Sequence, residues 1–256
     1  YFDLTTTFHA WGNPTGIARV EGRALQALVE SYGDRVVPIV WNSRTKNYVR
    51  LRRATALVGT NLIELEGMEK RGELPLVSKT EAKGGRIIVL GGAWIRNTEY
   101  ISALQALKRT LGANLTVLVH DLIQMKLAHL YPEGVGKEFE DNARLVAKAA
   151  DDFLVYSDFT KADLRQFLIS HGEIFKKISK FRLGDMTGLH DEQGDDDDAS
   201  KSDLQRRFSG RKFAMYVSTI EIRKNHTLLI NVWRRLVEER GSAAPHLVFI
   251  GGSVGG

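Results

Sequence analysis

Short apolar runs and amphipathic stretches alternate along the first two thirds of the chain. Residues 84–90 and 114–119 are continuous runs rich in Ile, Val and Leu, a pattern typical of strands buried on both faces of a parallel sheet. Residues 17–29 and 101–111 repeat apolar side chains every three or four positions, which is the spacing of an amphipathic helix. Strands that alternate with helices predict an α/β fold with a largely parallel sheet.

Weaker patterns extend this alternation in both directions. Helices are predicted to begin after the capping residues Thr15, Asn97 and Ser157. The further strands that we predict cover residues 1–8, 35–41, 47–51 and 152–156. Residues 175–182 are basic and amphipathic, and a helix lying on anionic lipid is one interpretation of that pattern.

A change in composition divides the chain. Residues 185–202 contain four consecutive aspartates and no aromatic residue, as a linker or exposed loop does. A new strand at 212–217 and an amphipathic run at 228–237 follow, with Leu228, Leu229, Val232, Trp233 and Leu236 on one helical face.

We therefore predict a Rossmann-like domain over 1–184, a linker or exposed loop over 185–210, and the start of a second Rossmann-like domain over 211–256. A complete second domain needs more strands and helices than that last segment supplies. We expect the chain to be the N-terminal portion of a longer protein.

Charge and composition exclude several classes of protein. The net charge of +5 suits an anionic substrate or an anionic lipid surface, and no nucleic-acid-binding motif accompanies it, so no nucleic-acid partner is expected. The chain has no cysteine, which excludes disulfides and agrees with a cytoplasmic location. Five cations fall between residues 44 and 53. A solvated edge is the favoured interpretation, and a peripheral contact with anionic lipid is the alternative.

Candidate site residues follow the predicted strands. Ligands of open α/β sheets bind at the carboxyl ends of the strands, where His120 and Asp121 follow the strand at 114–119. Thr15 and Gly16 begin the first helix, and Gly16 allows a ligand to approach the backbone closely. The alternatives are a structural His–Asp hydrogen bond and a plain tight turn. No metal-ligand spacing is present, so no metal is expected.

A second candidate site lies near the start of the helix predicted at 228–237. Arg223 and Lys224 precede that helix. A helix start attracts anions, and two cations add charge-assisted hydrogen bonds to phosphate. A solvated helix start with two ordinary surface cations is the alternative.

Four of these stretches, taken in order, resemble motifs of one enzyme family. They are Thr15-Gly-Ile-Ala-Arg-Val20, Val119-His-Asp-Leu-Ile-Gln124, the segment Ser157 to Leu164, and Val217-Ser-Thr-Ile-Glu-Ile-Arg-Lys-Asn-His226. The set resembles the retaining glycosyltransferases of family 4, which have the GT-B fold of two Rossmann-like domains. The resemblance also implies a strand over residues 175–182, which we favour over the helix on lipid. The chain departs from the family pattern at Ser218, Ile222 and Gln124, where the family usually has Gly, Pro and Pro.

The resemblance implies transfer of a hexose, such as mannose, from a nucleotide-diphosphate sugar to a saccharide or lipid-linked acceptor. The anomeric configuration is retained and no cofactor or bound metal is needed. The chain is similar to bacterial mannosyl- and rhamnosyltransferases of polysaccharide biosynthesis. The implied donor site comprises Lys224, Arg223, Thr219 and Gly251, the implied catalytic pair is His120 and Asp121, and the implied acceptor side of the cleft comprises Thr15, Gly16 and Arg19.

Two other functions compete with this hypothesis. A non-catalytic GT-B-like domain would bind glycans or assemble a larger polysaccharide-synthesis protein. A dinucleotide oxidoreductase is disfavoured, because no predicted strand precedes a G-x-G-x-x-G sequence with an acidic residue about twenty positions later.

Overall fold

The computed structural model describes residues 1–9, 15–52, 67–68, 70–72, 74–77, 84–95, 97–184 and 208–252. These residues belong to two compact units, Tyr1–Gly184 and Asp185–Gly256. Most of the predicted linker, residues 185–207, lies outside the described residues, as does Arg53 of the basic segment.

A seven-stranded sheet forms the centre of the first unit. Its strands run in the order β3-β2-β1-β4-β5-β6-β7, and all neighbours are parallel except β2 and β3. The strands are β1 (Phe2–Asp3), β2 (Pro38–Asn42), β3 (Asn47–Arg50), β4 (Arg86–Val89), β5 (Asn114–Val119), β6 (Asp152–Val155) and β7 (Lys177–Lys180). The predicted α/β class is thereby confirmed, and the sheet is compatible with a Rossmann-like fold. The strand order reverses between β1 and β4, which makes this pair the topological switch point.

The sheet is accompanied by the α-helices α1 (Thr5–His9), α2 (Gly16–Tyr32), α3 (Thr98–Leu111), α4 (Ile123–Lys126), α5 (Val135–Ala149) and α6 (Asp158–Ser170). The predicted caps are confirmed, since the side chains of Thr15, Asn97 and Ser157 each accept a backbone N–H of the helix that follows. Among the described helices, none is both long and apolar enough to cross a bilayer.

Hydrophobic side chains cover both faces of the sheet. Val117 belongs to the cluster that includes α3, α5 and α6, whereas its neighbour Leu118 belongs to the cluster that includes α1 and α2. Both side chains have an exposed fraction of 0%. Burial on both faces explains why 114–119 is a continuous apolar run without alternation.

The strand predicted at 1–8 is wrong beyond its first residues. The strand ends at Asp3 and α1 begins at Thr5. The Asp3 carboxyl group accepts the N–H of Thr5 at 2.8 Å and also its hydroxyl, and Thr5 Oγ1 accepts the N–H of Trp41 at 3.0 Å. An aspartate that binds the backbone two residues later turns the chain, so these local hydrogen bonds outweigh the β propensity of the threonines.

At the other edge of the sheet, the segment 175–182 contains strand β7, which pairs with β6. The alternative of a basic helix on lipid is therefore wrong. In the basic segment between residues 44 and 53, Lys46 forms an exposed ion pair with Glu99 at 2.8 Å. This contact agrees with a solvated edge, and the lipid contact stays a prediction.

The second unit contains β8 (Phe213–Val217), α7 (His226–Arg240) and β9 (His246–Ile250). The two strands are parallel and in register from Phe213 with His246 to Val217 with Ile250. Leu229, Trp233 and Leu236 of α7 are half-buried. Leu228 and Val232, which we predicted on the same face, are 55% and 48% exposed.

Candidate functional site

The loops after β1 and β4 approach each other closely at the switch point. A Cβ atom added to Gly91 would lie 2.1 Å from Thr6 Oγ1 and 2.4 Å from Glu21 Oε1. Thr6 Oγ1 also accepts the N–H of Gly92 at 3.1 Å. Only a glycine therefore fits between the start of α1 and the side chain of Glu21 on α2.

Glu21 is a buried polar residue that sequence reasoning missed. Its side chain is 1% exposed, and its Oε2 accepts both the N–H and the hydroxyl of Thr7 at 2.6 Å. Buried polar groups require such partners. The signal was present in the sequence, since Glu21 interrupts the apolar stripe that Ile17, Leu25 and Leu28 form at helical spacing.

The His120 side chain is held at the carboxyl end of β5 by hydrogen bonds to the backbone and by two aromatic rings. Its Nε2 lies 2.9 Å from the carbonyl oxygen of Leu90. A carbonyl can only accept, so Nε2 carries the proton and donates. The ring centroids of Trp94 and Tyr156 lie 5.6 and 5.2 Å from that of His120.

Burial lowers the pKa of His120 from its ordinary value of 6.5, although hydrogen bonds to the backbone of Leu90 and Gly91 and the charge of Asp121 oppose the shift. The imidazole is therefore neutral at pH 7, with its proton on Nε2. Its Nδ1 has a lone pair that can accept a hydrogen bond from a hydroxyl group.

The Asp121 side chain stabilises the turn between β5 and α4. Its Oδ1 accepts the N–H of Ile123 at 3.0 Å and so turns the chain into the four-residue helix α4. It acts on His120 through its charge. The two residues that we predicted as a catalytic pair are adjacent, and the role of Asp121 in catalysis stays a prediction.

Tyr156 is a second residue that sequence reasoning missed, because we assigned it to the preceding strand. It follows β6, and its ring contacts His120 and Phe181. Its hydroxyl is fully buried and has no hydrogen-bond partner among the described residues. Burial raises the pKa of Tyr156 well above its ordinary value. A buried hydroxyl without a partner is destabilising, and this makes Tyr156 a candidate ligand contact.

The predicted acceptor-side residues lie at the start of α2. This helix connects β1 to the parallel strand β2, so it begins at the same carboxyl edge of the sheet as His120. Thr15 Oγ1 accepts the N–H of Ala18 at 3.3 Å. A Cβ atom at Gly16 would meet no atom within 4 Å, and Arg19 is exposed. The three residues share an open surface at this edge.

In the second unit, Arg223 is engaged by a neighbouring carboxylate. Its Nε donates to Glu221 Oε2 at 2.9 Å, and a terminal guanidinium nitrogen lies 2.7 Å from Oε1. The Thr219 hydroxyl donates to the same carboxylate at 2.6 Å. Burial alone would raise the pKa of Glu221, but the hydrogen bonds from Thr219 and Arg223 and the charges of Arg223 and Lys224 lower it.

Lys224 is the other cation that we predicted for the donor site. It ends a single turn of 3-10 helix directly before α7, and its side chain forms no ion pair with any described residue. Asn225 adopts the left-handed conformation at φ 52° and caps α7 by accepting the N–H of Leu228. The ammonium group of Lys224 therefore remains available for an anion at the start of this helix.

Gly251 brings the ends of β8 and β9 together. A Cβ atom there would lie 1.8 Å from the carbonyl oxygen of Ser218. Backbone hydrogen bonds of 2.9 Å join Ser218 to Ile250 and Ile220 to Gly252 on either side. The loop that contains Thr219 and the loop that contains Gly251 thus lie side by side within this unit.

The described residues contain no group of three or more His, Asp or Glu side chains that could hold a metal ion. Within the first unit, the structure places His120 and the start of α2 at one edge of the sheet. Within the second unit, it places the four predicted donor residues in adjoining loops or at the helix start. A scan against protein-family models finds no match, and a search of curated proteins finds no matching sequence.

Proposed function

We propose that this protein is a retaining glycosyltransferase that moves a hexose from a nucleotide-diphosphate sugar to a saccharide or lipid-linked acceptor. The observation that carries the proposal is the ammonium group of Lys224 at the start of α7, which forms no ion pair with any residue that the structure describes. In the same unit, Arg223 is neutralised by Glu221. The family resemblance of the surrounding motif supplies the substrate class.

The positive charge at the start of α7 in the second unit suits the negative diphosphate of a donor. A helix start presents unpaired N–H groups and a partial positive charge, and Lys224 adds a full charge beside it. As the bond from the anomeric carbon to the phosphate breaks, negative charge develops on the leaving diphosphate. Lys224 stabilises that charge where it forms, which accelerates the reaction.

His120 fits the role of a hydrogen-bond acceptor for a sugar hydroxyl. Its Nε2 is engaged by Leu90, and its lowered pKa keeps Nδ1 unprotonated at neutral pH. Trp94 and Tyr156 hold the ring in place. The imidazole is thus oriented before a substrate arrives, which lowers the entropic cost of the reaction.

The test is a transfer assay with a panel of UDP-, GDP- and dTDP-hexoses and neutral saccharide acceptors. We expect transfer or slow hydrolysis of one donor, and a reduction of kcat by about 100-fold in His120→Ala, the typical effect of losing one positioned polar group in catalysis. Donor affinity should change little. Transfer that is unaffected by His120→Ala would assign His120 a purely structural role.

A different result would favour the non-catalytic alternative. If nucleoside diphosphates bind but no sugar of the panel is transferred or released, the protein is a binding or assembly domain. If neither nucleoside diphosphates nor saccharides bind, the proposed function is wrong.

A further inference from the structure

A pocket with a volume of about 440 Å³ lies between the starts of α3 and α5. The described residues that line it include Asn97, Thr98, Lys137, Glu138, Asp141 and Asn142. None of these residues contacts the His120 ring in the hydrogen bonds and ring contacts of that site. The starts of α3 and α5 follow β4 and β5, so the pocket lies at the carboxyl edge of the sheet.

Asn142 is the residue that points to a ligand. It is 6% exposed, and its side chain forms no hydrogen bond with any described residue. The same residue lines the pocket. Buried polar side chains are satisfied in the great majority of native structures. An unpartnered amide that lines a pocket therefore calls for a partner from outside the chain.

The two helix starts beside the pocket differ in how they are capped. Asn97 caps α3 by accepting the N–H of Tyr100 at 3.0 Å. The start of α5 has Gly134 at its cap position and no side-chain cap. The first backbone bond of that helix joins the N–H of Glu138 to the carbonyl of Gly134 at 2.9 Å. The start of α5 thus keeps hydrogen-bonding capacity that α3 has already used.

The charges of the lining decide the class of ligand. Lys137 pairs with Asp141 at 3.3 Å, which leaves the Glu138 carboxylate as the excess charge. The described lining residues thus have a net negative charge, which disfavours phosphate and other anions. Carboxylates accept hydrogen bonds from hydroxyls, and an amide both donates and accepts, so neighbouring hydroxyl groups of a neutral sugar satisfy this set.

We propose that this pocket is a binding site for a neutral saccharide, with Asn142 and Glu138 as its principal contacts. Its volume lies within the range of about 300–1,000 Å³ that small-molecule sites occupy. The assignment of that saccharide as the acceptor rests on the proposed function. The binding itself rests on the pocket alone.

The test is titration of the protein with neutral disaccharides of mannose, glucose and galactose, followed by NMR chemical shifts of the backbone amides. We expect shifts at the starts of α3 and α5 for at least one sugar. Asn142→Leu and Glu138→Gln should each weaken that binding by about fivefold or more, the effect of losing one or two hydrogen bonds. Arg144→Ala, on the same helix outside the pocket, should leave it unchanged.

A folding control accompanies the binding test. Asn142→Leu should unfold at the same urea concentration as the parent chain or a higher one, because it removes a buried amide that has no partner. A large loss of stability would show that Asn142 is a structural residue and would overturn the proposal. Shifts produced by inorganic phosphate and by no sugar would overturn the ligand class.

This test separates the two proposals. If nucleoside diphosphates bind the second unit while no sugar shifts the pocket, the pocket proposal fails alone. If a sugar binds through Asn142 while nucleoside diphosphates do not bind, the pocket stands and the proposed transferase function fails.

Discussion

Glu21 and Lys224 both lie beside loops that follow parallel strands, but only Glu21 is buried. Glu21 is 1% exposed and accepts two hydrogen bonds from Thr7. Lys224 is half-buried and has no ion-pair partner among the described residues. The Glu21 carboxylate is bound within the fold, whereas the ammonium group of Lys224 is available to an anion.

The same contrast separates the two units. The first unit buries both faces of its sheet, so His120 and Tyr156 are fixed by packing, and burial is the main cause of their pKa shifts. The described part of the second unit contains no buried side chain. Its polar groups act through charge at the start of a helix. We therefore assign the rigid positioning of polar groups to the first unit and the electrostatic attraction of an anion to the second unit.

The largest effect that we predict is on the stability of the first unit. Gly91→Ala should reduce the free energy of unfolding by about 3 kcal/mol, the upper part of the range for overpacking, because the new Cβ would collide with Thr6 and Glu21. Gly22→Ala is the matched control. A Cβ at that helical glycine meets no atom within 4 Å, so it should stabilise the unit by about 0.5–1 kcal/mol.

Urea denaturation followed by circular dichroism measures both changes. Equal stability of Gly91→Ala and the parent chain would show that the loops after β1 and β4 do not approach each other as described.

The next largest effect on the free energy of unfolding concerns the buried carboxyl group of Glu21. Glu21→Gln replaces an oxygen acceptor with an amide donor that faces the N–H and hydroxyl of Thr7, and should lower the free energy of unfolding by about 2 kcal/mol. The control is Glu30→Gln on the same helix, which is exposed and should change it by less than about 0.5 kcal/mol. If the two variants have the same urea midpoint, the hydrogen bonds from Thr7 to Glu21 do not stabilise the fold.

A smaller effect follows from the lowered pKa of His120. The folded state holds the neutral imidazole, so the unfolded chain binds a proton at a higher pH than the folded chain does. The contribution to stability is complete above the ordinary value of 6.5 and is lost as the pH falls through the lower folded-state pKa.

The measurement is the urea midpoint between pH 7.5 and 5, compared with His120→Gln. The glutamine variant should lose less stability on acidification than the parent chain does. An NMR titration in which His120 protonates above pH 6.5 would contradict the predicted direction.

The sequence predicted most of the first unit because its signals are local. The continuous apolar run of β5, the Asn97 and Gly112 ends of α3 and the Ser157 cap of α6 each depend on neighbouring residues. The strand predicted at 1–8 was wrong because the turn depends on hydrogen bonds between Asp3 and Thr5, which compete with the β propensity of the threonines.

The sequence predicted where residues of the candidate site lie along the fold, but not which partners their side chains have. Strand ends located His120 and Lys224, since ligands bind there. The pairing of Arg223 with Glu221, the unpartnered hydroxyl of Tyr156 and the empty hydrogen-bonding capacity of Asn142 depend on contacts in three dimensions. No periodicity or spacing in the sequence reports whether a polar group already has a partner.

We propose Lys224 as the cation that holds a diphosphate, and calorimetric titration with UDP and GDP measures this binding. Lys224→Ala should weaken the binding of one of them by about 10- to 100-fold, the loss of one charge-assisted hydrogen bond. Lys212→Ala removes the same charge from an exposed position in the same unit and should change affinity by less than about twofold. Equal affinities for the two variants, or no binding of either nucleotide to the parent protein, would contradict the account.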